Sequence, residues 1–194
     1  MINTIYSHDI EVSIYAMNAN YVRTELCALP IAEAVELLDS ADARREYEAD
    51  NDMPAGALTH VFFSTGGMNI PDAMTPNTAD QLKALAGVCD DLDVYGLNVA
   101  EYAAYMAAYD ETADNYPSVE GVSESVFWRG DDIEDGARAV YSFENGEDAA
   151  DQCDADFCFT DWLYSFDCYG LYKVADYGFM GRFGDRCTSF VIFR

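Results

Sequence analysis

The side chains able to do chemistry in this chain are overwhelmingly carboxylates: 36 Asp and Glu stand against 10 Lys and Arg, a formal net charge of −26 over 194 residues. Three runs crowd them, Asp50-Asn51-Asp52, Asp90-Asp91-Leu92-Asp93 and Asp131-Asp132-Ile133-Glu134-Asp135. Oxygen donors of this kind suit hard cations, yet none of the runs has the glycine at position six and glutamate at position twelve of an EF-hand loop. They read as weak, nonspecific attractors of Mg²⁺ or Ca²⁺. Acid-base or nucleophilic catalysis has little to work with. His8 lies near the start, His60 lies in an apolar run, and neither has a Ser, Cys or metal-ligand partner at a recognised spacing. Ser64-Thr65-Gly66-Gly67 lacks both the P-loop lysine and the dinucleotide glycine spacing, so it reads as a turn. The cysteines, Cys27, Cys89, Cys153, Cys158, Cys168 and Cys187, are scattered, and from Cys153 their C-x4-C-x9-C-x18-C spacing fits no zinc ribbon or finger. With no secretory signal pattern at the start, they read as reduced, mostly buried thiols. The expectation is a non-enzyme with no cofactor and no metal.

Taken together the carboxylates can do something that no single one can. The chain is 51% hydrophobic and 14% aromatic, enough apolar material to offset chain entropy, unlike a disordered acidic tail. A folded body carrying this much like charge repels itself at a cost in stability, so the charge reads as the working part and the partner as basic. Binding of nucleic acid itself is disfavoured, because phosphates are met by cations. The charge is also unevenly placed: between Arg45 and Arg129 the only base is Lys83, and between Asp131 and Asp167 it is Arg138. Duplex DNA carries one negative charge per about 1.7 Å of axis, so 26 net charges match about 44 Å, or roughly 13 base pairs. Carboxylates three and four apart on a helix lie about 5 to 6 Å apart, so helices suffice to imitate rows of phosphates. The contact set expected for a DNA-mimicking surface is Asp80, Asp90, Asp91, Asp93, Glu101, Asp110, Glu111, Asp114, Glu120, Glu124, Asp131, Asp132, Glu134 and Asp135.

The elements that must position these acids follow from periodicity. Glu11 to Met17 and Tyr21 to Leu29 are β-leaning runs around an Asn18-Ala19-Asn20 turn, a hairpin pattern. Pro30 then opens a helix on which Ile31, Ala34, Val35 and Leu38 recur, ending near Ser40, and Ala57 to Ser64 reads as a strand. From Pro71 to about Phe143 the pattern is helical: Leu82, Leu85, Ala86 and Cys89, then Val99, Tyr102, Met106 and Tyr109, then Ile133, Ala137, Val140 and Tyr141. The last stretch gives a helix over Thr160 to Cys168 and strands near Tyr172 to Tyr177 and Thr188 to Arg194. The expected fold is α+β and elongated, with an N-terminal α/β subdomain over 1–70, an acidic helical subdomain over 71–145 and a C-terminal α/β subdomain over 146–194. No apolar run approaches a membrane span, and the expected location is the cytoplasm of a host cell.

This layout resembles the ArdA-type antirestriction proteins, small acidic DNA mimics carried by mobile elements and phages. The likeness rests on the β-rich start IEVSIYAMNANYVRTEL, the acidic helical middle, the acidic-aromatic segment Phe159-Thr160-Asp161-Trp162-Leu163-Tyr164-Ser165-Phe166-Asp167-Cys168-Tyr169-Gly170 and the closing run Ser189-Phe190-Val191-Ile192-Phe193. Asn18-Ala19-Asn20-Tyr21 stands where that family carries Tyr-Asn-x-Gly. The resemblance implies a competitive inhibitor that occupies the DNA-binding groove of a defence enzyme, in the first place Type I restriction-modification. Faces dense in carboxylates repel each other while residues from Phe157 onward supply apolar and aromatic material, so Trp162, Leu163, Phe166, Tyr169 and Leu171 read either as a homodimer contact, with Arg182, Arg186 and Arg194 offsetting nearby acids, or as the C-terminal core, and the resemblance favours the homodimer. Two other readings stand beside it: the same mimicry directed at a CRISPR complex or another DNA-binding protein, and an acidic halophile-type or phage structural domain with no inhibitory role.

Overall fold

The computed structural model describes residues 10–17, 23–64, 70–180 and 186–194, with the backbone alone described at 17, 23–27, 166–167, 178–180 and 186–188. The chain is α+β, and its two small sheets fall in two compact units. The first unit holds the described residues through Val99 together with Thr112–Tyr116; the second holds Ala100–Glu111 and Pro117–Arg194.

In the first unit, β1 (Glu11–Met17) buries Val12, Ile14 and Ala16 and exposes Glu11, the period-two alternation of a half-buried strand. It is the middle strand of an antiparallel sheet ordered β2-β1-β3, between β2 (Arg23–Pro30) and β3 (Val61–Ser64). The β1–β2 register runs from Glu11↔Pro30 to Ile14↔Cys27 and shifts there to Tyr15↔Glu25, a bulge. The expected hairpin strands are therefore paired, while their Asn18-Ala19-Asn20 turn lies outside the described residues. The chain passes straight from β2 into α1 (Ile31–Asp39), with Pro30 at a position whose N–H no helical bond requires. Ile31, Ala34 and Leu37 give α1 its buried stripe. Ser40 then caps α2 (Ala41–Asp50), its Oγ accepting from the Ala43 N–H at 3.1 Å.

The strand expected over Ala57 to Ser64 is confined to β3. Upstream of it the N–H groups of Gly56 and Leu58 donate to the buried carboxylate of Glu48 at 2.9 and 2.7 Å, and Gly56 takes the left-handed φ of +81°. A chain held this way turns instead of extending. Next comes α3 (Ala79–Tyr95), opened by a capping box: Thr78 Oγ1 accepts from the Gln81 N–H at 3.2 Å and Gln81 Oε1 accepts from the Thr78 N–H at 3.1 Å. Gly96, at φ +68°, closes it. Leu82, Leu85, Val88, Cys89 and Leu92 are buried, and the helix packs on α1. At about 1.5–3 kcal/mol per fully buried leucine, that face alone anchors the helix and leaves the other to solvent.

The second unit begins within α4 (Val99–Ala108), which buries Tyr102 and Met106; the Tyr102 hydroxyl donates to the Pro117 carbonyl at 2.6 Å. α5 (Val119–Ser125) runs directly into β4 (Val126–Gly130). An antiparallel sheet ordered β4-β6-β5 is completed by β5 (Lys173–Met180) and the central β6 (Arg186–Phe193). α6 (Ile133–Asn145) packs on β4 and on α7 (Phe159–Leu163), and α8 (Phe166–Tyr169) follows. Their core joins Ala137, Val140, Phe159, Leu163, Tyr172 and Ile192. Trp128 lies so close to α6 that a Cβ on Gly136 would come within 2.6 Å of Trp128 Cε3 and 2.8 Å of Ile192 Cδ1. The approach of strand to helix requires the bare glycine.

The segment expected as a helical middle, 71–145, is thus shared: α3 belongs to the first unit and α5 and α6 to the second. It also contains β4, where Val126, Phe127 and Trp128 favour extended backbone. The single helix expected over Thr160 to Cys168 is two short ones, interrupted at Tyr164 and Ser165. Among the described residues no helix is long and apolar enough to cross a membrane.

Candidate acidic interface

α3 is the simplest part of the acidic surface. Its buried stripe turns Asp80, Asp90, Asp91 and Asp93 to solvent, and all four are exposed. Asp80 and Asp91 are eleven residues apart, three helical turns, which places them on one face about 16 Å apart along the axis. The single base of the helix, Lys83, is taken by Asp39 at the end of α1, Nζ to Oδ2 2.6 Å. That hydrogen bond, with the charge of Asp39, holds the Lys83 ammonium above its ordinary value. Asp114, also in this unit, is exposed and accepts from the Gln81 side chain at 2.6 Å.

In the second unit Asp110, Glu120, Glu124, Asp131, Asp132 and Asp135 are exposed and Glu111 is half-buried. Two of these also serve the fold: Asp132 Oδ1 caps α6 by accepting from the Glu134 N–H at 2.9 Å, and Asp131 accepts from the Ser189 hydroxyl at 2.9 Å. Carboxylates at a helix start are favoured by its dipole.

Two residues expected on this surface are not part of it. Glu101 is 4% exposed, and its Oε1 lies 2.6 Å from Arg129 Nε in a pair internal to the second unit. It falls on the stripe of α4 that also buries Tyr102, where a carboxylate persists by being paired. Glu134, half-buried, accepts from the N–H groups of Phe159 and Thr160 at 3.1 and 3.0 Å and from the Thr160 hydroxyl, binding α6 to the start of α7. Partial burial works to raise its carboxyl, but these hydrogen bonds outweigh it and hold the group below the usual glutamate value.

The described cations are likewise used internally. Arg45 pairs with Asp42 at 2.5 Å and Arg138 with Asp151 at 3.0 Å, and Arg44 Nη1 donates to the Leu37 and Leu38 carbonyls at 2.8 and 3.0 Å. Arg194 sits 4.7 Å over the Phe143 ring; Lys173 lies 5.4 and 6.0 Å from the Tyr169 and Tyr109 rings. Every described Lys and Arg side chain is therefore engaged within its own unit. What remains outward is carboxylate, and neighbouring ones about 6 Å apart repel by roughly 0.7 kcal/mol in bulk water. Each such term is small and screened by salt; the sum favours any partner that brings cations.

The surface extends past the expected set. Glu144, Glu147, Asp148, Asp151, Asp154, Asp156 and Asp161 are all exposed in the second unit. The run Asp131 to Asp167, with Arg138 its only base, was the sequence signal for them.

Of the residues expected at a dimer contact, Tyr169 and Leu171 are exposed, 45% and 62%, and Trp162 is half-buried against the core. Leu163 is a correction: it is fully buried beneath α6, so it is unavailable to a second chain. The Phe166 side chain, and those of Arg182 and Arg186, lie outside the described residues, as do His8 and Thr65 to Gly67. His60 is exposed. Among the described residues no three His, Cys, Asp or Glu are grouped to hold a metal ion. Cys89, Cys153, Cys158 and Cys168 are free thiols; burial pushes the Cys89 thiol up to about 12, whereas Cys158 departs from the buried expectation by being exposed. No protein-family model, curated protein or solved structure matches this chain.

Proposed function

We propose that this protein is a non-catalytic DNA mimic that competes with DNA for the binding groove of a host defence enzyme, in the first place a Type I restriction-modification enzyme. The observation that carries the reading is the division of labour among charges. The described cations are bound within their own units, while Asp80, Asp90, Asp91, Asp93, Asp110, Glu120, Glu124, Asp131, Asp132 and Asp135 face solvent. In the proposed complex, Lys and Arg that ordinarily hold phosphates hold these carboxylates instead. The surrounding negative field steers association and makes it fast at low salt. The chain acts from the cytoplasm of the host, as a homodimer joined by the second unit and with no cofactor.

The test is displacement. A purified Type I enzyme holding a labelled duplex is titrated with the protein at several salt concentrations. Loss of DNA from the enzyme, weakening as salt rises, is the expected result. Full DNA occupancy at saturating protein overturns the reading.

A further inference from the structure

We propose that the exposed end of the aromatic cluster at Phe157, in the second unit, is a receptacle for an arginine side chain of the protein's basic target. The inference rests on the DNA-mimic reading and names the residue type that this part of the surface selects. Ahead of α7 the chain makes a turn in which the Phe157 N–H donates to the Asp154 carbonyl at 3.0 Å. The turn sets Phe157 beside Tyr141 and Phe159, with ring centroids 5.2 and 4.8 Å away, and Trp162 extends the cluster 4.7 Å from Tyr141. Phe159 is buried, Tyr141 and Trp162 are half-buried and Phe157 is 36% exposed, so the rings reach solvent at Phe157. Asp154 and Asp156 on the turn and Asp161 in the first turn of α7 are all exposed, and none is paired with a cation among the described residues.

The chemistry of the occupant is displayed at the inner end of the same cluster. Arg138 holds its guanidinium carbon 4.6 Å over the Phe159 ring and its Nη2 3.0 Å from Asp151 Oδ1, one planar cation shared by a ring and a carboxylate. Phe157 with Asp154 and Asp156 offers the same two elements to solvent. Arginine suits them better than lysine, because its weakly hydrated plane stacks on a ring while its fork meets a carboxylate. The arginines with which a DNA-binding protein grips phosphates have that geometry to give. A second copy does not supply the cation from its described residues, since every described arginine side chain is engaged within its own unit. Such a contact also gives selectivity among basic proteins, which a distributed charge supplies poorly.

Argininamide and lysinamide, two small cations of the same charge, are titrated into the wild-type protein and followed by NMR at the amides of 154–161 and the Trp162 indole. Glu120 and Glu124, exposed acids one turn apart on α5, serve as the reference. Argininamide is expected to bind about threefold tighter than lysinamide at the cluster, with a smaller difference at the reference. Phe157→Leu keeps the apolar bulk and the charge but removes the ring; it should abolish the excess at the cluster and weaken binding to a purified Type I enzyme by about threefold. The wild-type titration decides even if that variant folds poorly. Equal binding of the two cations at the cluster, or a preference that folded Phe157→Leu retains, overturns the receptacle, and displacement of DNA by the wild type then still upholds the mimicry. Unchanged enzyme binding by folded Phe157→Leu overturns its use by the target. An argininamide preference at the cluster in a protein that displaces no DNA overturns the mimicry and leaves the receptacle standing. A Phe157→Leu chain that scatters light as a single chain, where the wild type scatters as two, assigns the patch to a second copy and overturns the proposal.

Discussion

Arg129 and Glu101 meet inside the second unit with Nε 2.6 Å from Oε1, and Tyr177 donates its hydroxyl to the same carboxylate oxygen at 3.2 Å. One helix, α4, and two strands of the sheet, β4 and β5, are tied at that oxygen. Burial pushes the Tyr177 phenol up to about 12, so the hydroxyl stays a donor across the working range. An acid in the middle of the most acidic segment therefore serves the fold and not the surface. Glu101→Gln removes the carboxylate charge that Arg129 meets at 2.6 Å. Because Arg129 is 41% exposed, the expected loss is roughly 2 kcal/mol, below the 3–5 kcal/mol of a fully buried pair. Urea unfolding reads this loss, and displacement of DNA by the folded fraction stays at the wild-type level.

The outward acids behave in the opposite way. Asp91→Asn alone is expected to leave stability unchanged and to weaken partner binding by no more than about 1 kcal/mol, since an exposed pair is worth roughly 0.2–1 kcal/mol. Neutralising Asp80, Asp90, Asp91 and Asp93 together accumulates to about 1–4 kcal/mol on the same scale, a loss of up to several hundredfold, and flattens the salt dependence. Loss of all displacement by one such substitution would mark a localised hot spot and sink the distributed model.

How far the sequence speaks for itself depends on which pattern carries an element. β1, α1, α3 and α6 are legible because the β-leaning run Glu11 to Met17 and the repeats Ile31-Ala34-Val35-Leu38, Leu82-Leu85-Ala86-Cys89 and Ile133-Ala137-Val140-Tyr141 mark them, although in α1 Leu37 completes the buried stripe while Val35 and Leu38 are half-buried. α2 is not, because ADARREYEAD buries only Glu48 and has no apolar stripe. What fixes it is a polar bond to Gly56 and Leu58 on the next turn of chain, beyond the reach of local periodicity. β4 was concealed by its surroundings, five residues between two helices whose pairing with β6 lies sixty residues away. The same limit applies to the acidic surface. Composition gives its existence, but Glu101 and Glu134 differ from Asp91 only in what faces them, and those partners, Arg129, Tyr177, Phe159 and Thr160, are distant in sequence.

Two glycines in helices respond oppositely to the same change. Gly136→Ala drives a methyl into Trp128 and Ile192 at 2.6 and 2.8 Å, and the overpacking is expected to cost about 1–3 kcal/mol. Gly87, exposed in the middle of α3, has nothing within 4 Å of a built Cβ. Gly87→Ala is expected to stabilise by about 0.5–1 kcal/mol through helix propensity. Thermal unfolding of the two variants at one pH and salt concentration compares them directly.

Acid weakens the fold at Glu48 and Glu134. The Leu58 and Gly56 N–H groups hold the Glu48 carboxyl below the ordinary 4.5, and at Glu134 the Thr160 and Phe159 bonds prevail over burial to the same end. A carboxyl whose folded value lies below its unfolded value adds stability above the unfolded value and loses it as pH falls through the folded one. Stability from both groups is thus complete at pH 7 and declines below about pH 4.5. Urea midpoints measured from pH 7 to pH 3 should fall over that window, and Glu48→Gln should start lower at pH 7 and fall less. An identical decline in the variant would assign the acid limb elsewhere.

The homodimer makes the sharpest use of the corrected contact set. Tyr169, the last residue of α8, and Leu171, between α8 and β5, are exposed close to one another in sequence, with Tyr164, also exposed, 6.1 Å from Tyr169 ring to ring. The surfaces dense in carboxylate repel their own copies, so an apolar patch is where two chains of this charge can touch. Light scattering in about 0.15 M salt, where charges beyond about 8 Å are screened, is expected to give twice the chain mass of 21.5 kDa. Tyr169→Ser with Leu171→Asp should return the single-chain mass with the unfolding midpoint of the isolated chain unchanged, since neither side chain lies in the core. Leu163→Ala should instead cost about 2–5 kcal/mol in stability through the cavity it leaves. A monomeric wild type removes the dimer from the proposal, and a dimer that survives the double variant places its contact on another surface.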